Sequence, residues 1–469
     1  MSYAFTFDAS ACTGCKACQA ACKDKNDLPV GVLWRRVIEV SGGAWQQIGA
    51  AWCHDVFSYN LSMACNHCVH PKCAGVCPVN AYNVREDGIV ILDSSRCIGC
   101  GYCNWACPYA VPQFNSSDGV MSKCNFCFDA LEAGGEPACV SACPMRVLNF
   151  EKIGSSENDS QGRALWEIPS TQHPFPLPPY SRTQPHIRIN SHPAMSNSLQ
   201  KNVANREEIK PKHAKSELPL VAFTLLAQMA VGMFWASQLI FSFVQPGSPM
   251  VRLVSALLVG VMLAIGMFIS FAHLGRKRNA WRVLGNLGKS SLSREILYLG
   301  LFGTGWLFSV LFPLPPLQFL TSCLGLILIY TMANVYGLRS MAVWNTWRTL
   351  AGFLSSAMLL GFYLSLIVIQ VAAGSMGFAY SYSTIGWVNP AAFLFLLAEY
   401  FISTWGKSCL PVMRLRNGMI LAALIALLCS FAFPFLAGLN FRICLFIWIL
   451  VEEILGRWLF YGELEQRVL

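Results

Sequence analysis

The chain has 469 residues, a formal net charge of +9 and 54% hydrophobic residues, enough for two or three domains. Seventeen of its 21 cysteines precede residue 144, whereas apolar runs dominate after residue 217. The average composition therefore conceals a soluble, metal-binding half and a membrane half. The positive charge does not signal nucleic-acid binding, because many of the Lys and Arg residues flank apolar spans, where they orient membrane helices.

Sixteen cysteines between Cys12 and Cys143 form four groups. They are Cys12, Cys15, Cys18 and Cys22; Cys65, Cys68, Cys73 and Cys77; Cys97, Cys100, Cys103 and Cys107; and Cys124, Cys127, Cys139 and Cys143. Pro78, Pro108 and Pro144 follow the last cysteine of the second, third and fourth groups, and Lys23 stands there in the first. A tight C-x-x-C-x-x-C loop wraps thiolates around one face of an iron–sulfur cubane, and the following cysteine reaches a neighbouring cluster. Sixteen thiolates supply four [4Fe–4S] clusters. Zinc needs neither the third close cysteine nor the trailing C-P. A disulfide scaffold belongs to short secreted chains. The spacing leaves open whether the groups pair as neighbours or nested.

In chain order, residues 33–63 read as strands. They comprise Val37–Val40, a Gly42-Gly43 turn and a second strand from Trp52 to Leu61, which predicts a hairpin. Cys53 lies outside any ligand spacing and is expected to be a buried, inert thiol. Short strands such as Gly88–Leu92 separate the later groups, and the two ferredoxin-type halves imply an internal duplication. Residues 156–217 are rich in Ser, Pro and charge, with a proline run at 174–179 and Lys201, Lys210, Lys212 and Lys215. They read as a partly extended linker that drapes over the soluble domain.

Eight apolar segments follow, at about 218–243, 250–272, 295–312, 317–337, 350–373, 388–404, 419–437 and 441–461, each near the length that spans a bilayer. The fold class expected is an α+β four-cluster ferredoxin-like domain, residues 1–155, followed by an all-α polytopic membrane domain of eight transmembrane helices, residues 218–469. The loops after the second, fourth and sixth spans, with the C-terminal tail, share the side of the soluble domain. They carry Arg276, Lys277, Arg278, Arg282, Lys289, Arg294, Arg339, Arg348, Lys407, Arg414, Arg416, Arg457 and Arg467, against little more than Arg252 and Arg442 opposite. The positive-inside rule places the iron–sulfur domain on the cytoplasmic side of the inner membrane. Met1–Asp8 shows no basic n-region, apolar h-region or twin arginine, which agrees.

His273, at the end of the second span on the cluster side, is the only histidine after residue 213. Bis-histidine haem needs two, so no haem is expected. One imidazole near the interface can accept a quinol proton while a cluster takes the electrons, and Glu295 can accept or relay the other. Glu399, Glu452 and Glu453 lie within apolar spans, with Glu453–Arg457 expected as a structural pair at i, i+4. Cys323, Cys409, Cys429 and Cys444 have no ligand spacing and are expected to pack.

Residues 3–155 resemble the four-cluster electron-transfer subunit of the anaerobic dimethyl sulfoxide reductases, in the complex iron–sulfur molybdoenzyme family. The motifs are Cys12-Thr-Gly-Cys-Lys-Ala-Cys, Cys65-Asn-His-Cys, Cys97-Ile-Gly-Cys-Gly-Tyr-Cys and Ala106-Cys-Pro-Tyr. The membrane half resembles the eight-helix anchor of the same enzyme through Glu217-Leu-Pro-Leu, His273-Leu-Gly, Ser293-Arg-Glu295-Ile and Glu453-Ile-Leu-Gly-Arg457. The resemblance covers nearly all of the sequence except the linker, and the departure is the fusion of two usually separate polypeptides.

The resemblance implies nested pairing. Cys12, Cys15, Cys18 and Cys143 would hold one cluster, and Cys124, Cys127, Cys139 and Cys22 its partner. Cys65, Cys68, Cys73 and Cys107 would hold the third, and Cys97, Cys100, Cys103 and Cys77 the fourth. It also implies menaquinol oxidation at His273 with Glu295, and a separate catalytic subunit holding molybdopterin that reduces dimethyl sulfoxide or a related S- or N-oxide. Two rivals stand beside this reading. One is the same architecture run oxidatively, as in a sulfite dehydrogenase that reduces quinone. The other is an electron-transfer or assembly module without quinone chemistry.

Overall fold

The computed structural model describes residues 2–154, 180–193, 203–206, 217–243, 249–341, 343–376, 388–404, 411–432 and 438–467. The proline run at 174–179, Lys201, Lys210, Lys212, Lys215, Lys407 and Cys409 lie outside them. The protein forms two compact units. The first holds the described residues up to Arg206 together with Leu274–Ser290, and the second holds Glu217–His273 and Ser291–Arg467.

The first unit starts with β1 (Ser2–Asp8), α1 (Ala17–Lys25) and β2 (Arg36–Gly42), then β3 (Trp45–Ile48), β4 (Ala51–His54) and β5 (Phe57–Met63). The expected hairpin is present, with β2 antiparallel to β5 from Arg36–Met63 to Gly42–Phe57. Its connection is more than a turn, because β3 and β4 form a second ribbon. All eight residues of that ribbon face water, so Cys53 is exposed rather than buried. The physical reason is that neither face of this two-stranded ribbon is covered.

Next come α2 (Lys72–Val76), β6 (Tyr82–Val84), β7 (Val90–Leu92), α3 (Tyr102–Ala106), β8 (Gln113–Asn115), β9 (Val120–Ser122), α4 (Phe128–Glu132), α5 (Ala138–Ser141) and β10 (Leu148–Ile153). The hairpins β6–β7 and β8–β9 separate the second, third and fourth cysteine groups. Two later strands return to the domain. β11 (Ile187–Asn190) runs parallel to β1, whose other edge pairs with β10, and β12 (Val203–Arg206) adds to β2. Two cores result. Phe5, Ile38, Leu61, Ile89 and Phe126 pack with cysteines of the first and fourth groups. Val79, Ile98, Val120 and Met121 pack with cysteines of the second and third.

The second unit holds eight long helices among the described residues. They are α6 (Leu218–Phe243), α7 (Pro249–Ala272), α8 (Ser291–Leu311), α9 (Pro315–Tyr336), α10 (Trp347–Met376), α11 (Val388–Thr404), α12 (Pro411–Ala432) and α13 (Leu439–Arg467). Five of the helices are long and apolar enough to cross a membrane by length and composition: α6, α7, α9, α10 and α12. Helices α8, α10, α12 and α13 extend beyond the apolar windows read from sequence, because polar first turns or last turns continue the same hydrogen-bonded ladder.

Glycine sets the closest helix crossing. A Cβ on Gly232 of α6 would overlap the Ala357 carbonyl of α10, and one on Gly361 would overlap the Gly232–Met233 backbone. Small residues that let backbones touch are a common basis of association between membrane helices.

Candidate functional site

Each cysteine group begins with a C-x-x-C turn whose third residue has a left-handed backbone. Gly14, His67, Gly99 and Phe126 have φ of 69°, 41°, 71° and 63°. Glycine takes this conformation freely, whereas His67 and Phe126 do so against steric preference. Both are fully buried and their rings meet edge-to-face at 5.3 Å. The turn folds backbone amides back toward sulfur. Gly99 N–H donates to Cys97 Sγ at 3.4 Å and Phe126 N–H to Cys124 Sγ at 3.4 Å; beyond the second group, Ala81 N–H donates to Cys77 Sγ at 3.3 Å. Five of the remaining cysteines lie on short helices, and Cys77 and Cys107 sit at the C-terminal caps of α2 and α3. Cys18 and Cys22 lie on α1, Cys73 on α2, Cys103 on α3 and Cys139 on α5.

The fold brings cysteines from different groups together. One cavity is lined by Cys12, Cys15, Cys18 and Cys143, and another by Cys65, Cys68, Cys73 and Cys107. Cys22 lies close enough to Cys139 and Cys127 for their charges to interact, as does Cys124 to Cys22, Cys65 and Cys139. Cys77 stands in the same relation to Cys97, and Cys103 to Cys100 and Cys97.

Burial, reinforced by neighbouring thiolates, pushes Cys22 up to about 12. Burial also pushes Cys107 up to about 11, against two backbone N–H donors, and holds Cys73, Cys103 and Cys124 far above the ordinary thiol range. Unliganded, such thiols stay protonated. A bound metal deprotonates them and relieves the repulsion, so the donor set fits a thiolate-ligated metal cluster.

Three buried polar residues of this unit were not singled out in the sequence. Arg35 is 1% exposed, Lys123 is 4% exposed and His67 is fully buried. Lys123 Nζ donates to the carbonyls of Val90 and, at 2.9 Å, Cys124. His67 accepts the Val90 N–H at Nδ1, 3.0 Å away, and burial together with the nearby Lys123 charge keeps it neutral. Arg35 and Lys123 lie outside the spaced motifs, and His67 sits inside Cys65-Asn-His-Cys, where spacing marks the cysteines and not the residues between them.

The 274–290 segment between α7 and α8 was also missed as a structural element. It packs in the first unit around Cys77 and Cys97. Asn286 Nδ2 donates to the Cys77 carbonyl at 2.7 Å, and Asn279 Nδ2 to those of Ser95 and Cys97 at 2.7 and 3.1 Å. Arg276 donates its backbone N–H to Ile98 O at 3.1 Å and its side chain to Ser94 O and Asp118 O. Val283 is buried in the second core. Its basic composition reads as a topogenic loop, and only the interleaved Asn279, Asn286 and Ser290 hint at docking.

In the second unit, His273 is half-buried just past α7, and Glu295 is buried in the second turn of α8. Glu295 lies within electrostatic reach of Tyr336 and Tyr461, whose hydroxyls bond to each other. Glu399, Glu452 and Glu453 bring carboxylate oxygens within 4.8 Å of one another. Arg416 bridges two of them, at 2.7 Å to Glu452 and 2.8 Å to Glu399.

The expected direct Glu453–Arg457 pair is replaced by a bridge. Ser356 Oγ donates to Glu453 at 2.9 Å and accepts from Arg457 at 3.2 Å, and Arg457 also reaches Gln228 at 2.9 Å. The reason is that the partners on α6 and α10 outcompete the i, i+4 geometry within α13. Arg416 and Arg457, counted in the sequence as topogenic charges, are therefore committed to interior contacts. Cys323 and Cys429 are half-buried and Cys444 is exposed on its helix, so Cys444 does not have the packing role expected of it.

Comparison with known proteins agrees with this division. Residues 56–153 match the family described as "4Fe-4S dicluster domain", and residues 212–463 match "DMSO reductase anchor subunit (DmsC)". The sequence is 50% identical over 151 residues to a subunit of the anaerobic dimethyl sulfoxide reductase of Escherichia coli K12, covering 32% of this protein and 74% of that one. It is 40% identical over 210 residues to the corresponding subunit from Haemophilus influenzae, 44% of this protein and 98% of that one. It is 45% identical over 156 residues to the thiosulfate reductase electron transfer subunit PhsB of Salmonella typhi, 33% and 78% of the respective lengths.

Proposed function

Because this protein belongs to the dimethyl sulfoxide reductase family, with an iron–sulfur subunit and a multi-pass membrane anchor in one polypeptide, we propose that it connects a membrane quinol to a catalytic molybdopterin subunit. The observation that carries this reading is that cysteines of different groups converge, as in the cavities lined by Cys12, Cys15, Cys18 and Cys143 and by Cys65, Cys68, Cys73 and Cys107, in a polypeptide that also carries the anchor. Residues 1–155 would hold the clusters, 156–217 would be the linker and 218–469 the anchor, with all eight helices spanning the membrane. The sets are nested as the resemblance implies: Cys12, Cys15, Cys18 and Cys143; Cys22, Cys124, Cys127 and Cys139; Cys65, Cys68, Cys73 and Cys107; Cys77, Cys97, Cys100 and Cys103. Cubanes bound there would supply one-electron carriers.

Menaquinol releases two protons with its two electrons. An imidazole nitrogen of His273 accepts one proton, and a carboxylate oxygen of Glu295 accepts or relays the other. Residues 274–290, which hydrogen-bond beside Cys77 and Cys97, lie in the sequence between His273 and Glu295, and that supports entry of electrons at this set. Arg276, Lys277, Arg278 and Lys289 of the same segment support a cytoplasmic face of the inner membrane. Reduction of dimethyl sulfoxide or a related S- or N-oxide fits the names of the relatives.

The test uses membrane vesicles carrying the protein with its catalytic partner. His273→Ala and Glu295→Gln should slow quinol-dependent cluster reduction by about 100-fold or more, while dithionite reduces the clusters as in the wild type. Unchanged quinol-dependent reduction would refute the quinol site. Reduction of quinone by a turned-over substrate, without the reverse reaction, would assign the oxidative direction instead.

A further inference from the structure

Arg35 immediately precedes β2 and has no carboxylate partner among the described residues. Its Nη1 donates to Ser62 Oγ at 3.1 Å and to the Ser62 carbonyl at 3.3 Å. Ser62 Oγ in turn lies 3.4 Å from Cys18 Sγ. The guanidinium sits 4.4 Å from the centroid of the Phe5 ring, and the Arg35 backbone N–H bonds to Cys22. Its Nε and Nη2 are buried with no partner among the described residues. Removing a guanidinium from water is costly unless an anion receives it and its donors are used. The groups within reach that can become anionic are the thiols of Cys139, Cys124, Cys18 and Cys22, whose charge on ligation would offset the cost of burying the guanidinium.

A four-thiolate cluster is anionic and gains one further negative charge when reduced. A fixed buried cation therefore favours the reduced form, and net charge and hydrogen bonds to sulfur are recognised determinants of cluster potential. Lys123, the other buried cation of this unit, already has its ammonium bonded to backbone carbonyls. Arg35 keeps two donors unspent.

We propose that Arg35 is a potential-setting residue for the paired clusters of the first and fourth cysteine groups. It raises the reduction potentials of the one held by Cys22, Cys124, Cys127 and Cys139 and of its partner at Cys18. The inference rests on the cluster reading above. Each cluster accepts one electron, and Arg35 neither gains nor loses a proton.

The test is a redox titration of the full-length protein with its catalytic partner, followed by low-temperature paramagnetic resonance, with iron counted in each sample. Arg35→Gln should move two of the four waves to lower potential and leave the other two in place. At the wild-type midpoint of the more affected wave, the ratio of reduced to oxidised cluster should fall at least tenfold, about 59 mV for a one-electron couple. Arg35→Lys, which keeps the charge and loses the planar fork, should move the same two waves by less. Waves that stay in place at full iron content would overturn the proposal, as would equal movement of all four. Should Arg35→Gln bind less iron, the Lys variant decides by the same two criteria. A wild-type sample without four waves would instead refute the cluster reading.

Discussion

Arg35 in the cysteine half and Arg416 in the helical half are both buried guanidiniums, but their counter-charges come from different sources. Arg416 is met by the carboxyl groups of Glu452 and Glu399 at 2.7 and 2.8 Å, partners that the sequence itself supplies. Arg35 has no carboxylate partner among the described residues, only cysteines that can become anionic, and burial keeps Cys22 and Cys124 protonated until a metal binds. The Arg416 charge is thus met by side chains of its own unit, while Arg35 in the cysteine half depends on a cofactor. The hydrophobic effect repeats the contrast. The cysteine half has short strands, helices of four to nine residues and cores built partly from cysteine. The helical half packs long helices against one another.

The strongest way to break this comparison is to remove the metal. Chelation of iron from the oxidised protein should abolish the cooperative melting transition of the cysteine half and preserve most helical circular dichroism in detergent. Equal loss from both halves would contradict it. Next in size, Arg416→Ala strands two buried carboxylates and should destabilise the helical unit by about 3–5 kcal/mol, measured by thermal melting in detergent, with iron content unchanged. Gly361→Leu forces a side chain into the Gly232 backbone, and its cost should reach or exceed the top of the about 1–3 kcal/mol typical of overpacking.

Asn286→Ala removes the shorter of two hydrogen bonds to the Cys77 carbonyl, leaving the Asn80 N–H at 3.4 Å. It should cost about 0.5–1.5 kcal/mol, seen as faster amide exchange in residues 274–290. Smallest of all, Lys25→Ala removes an ion pair with Asp129 whose side chains are 41% and 51% exposed. Exposed pairs contribute little, so the melting midpoint should not move.

The two halves were also unequally legible. Cysteine spacing is a local signal tied to cluster geometry, so Cys12 through Cys143 could be grouped before any fold was known. Their partition into sets depends on contacts such as Cys12 with Cys143, which span the domain and leave no trace in spacing. In the helical half, apolar length disclosed the helices, yet the partners of Glu453 could not be read from α13 alone. Ser356 and Gln228 reach its neighbourhood from α10 and α6, and a hydroxyl or amide in an apolar run carries no sequence signal of its destination. Arg35 and the docking of residues 274–290 were hidden for the same reason. Exposure of the β3–β4 ribbon, and with it Cys53, follows from the lack of a covering layer, which strand alternation does not report.

The central claim is that the sixteen cysteines hold four cubanes, and iron stoichiometry tests it most directly. Anaerobically purified full-length protein should contain about sixteen iron atoms per molecule, with paramagnetic resonance signals appearing after reduction. Full-length, folded protein that binds zinc in place of iron, or retains only a few irons and stays silent on reduction, would contradict it.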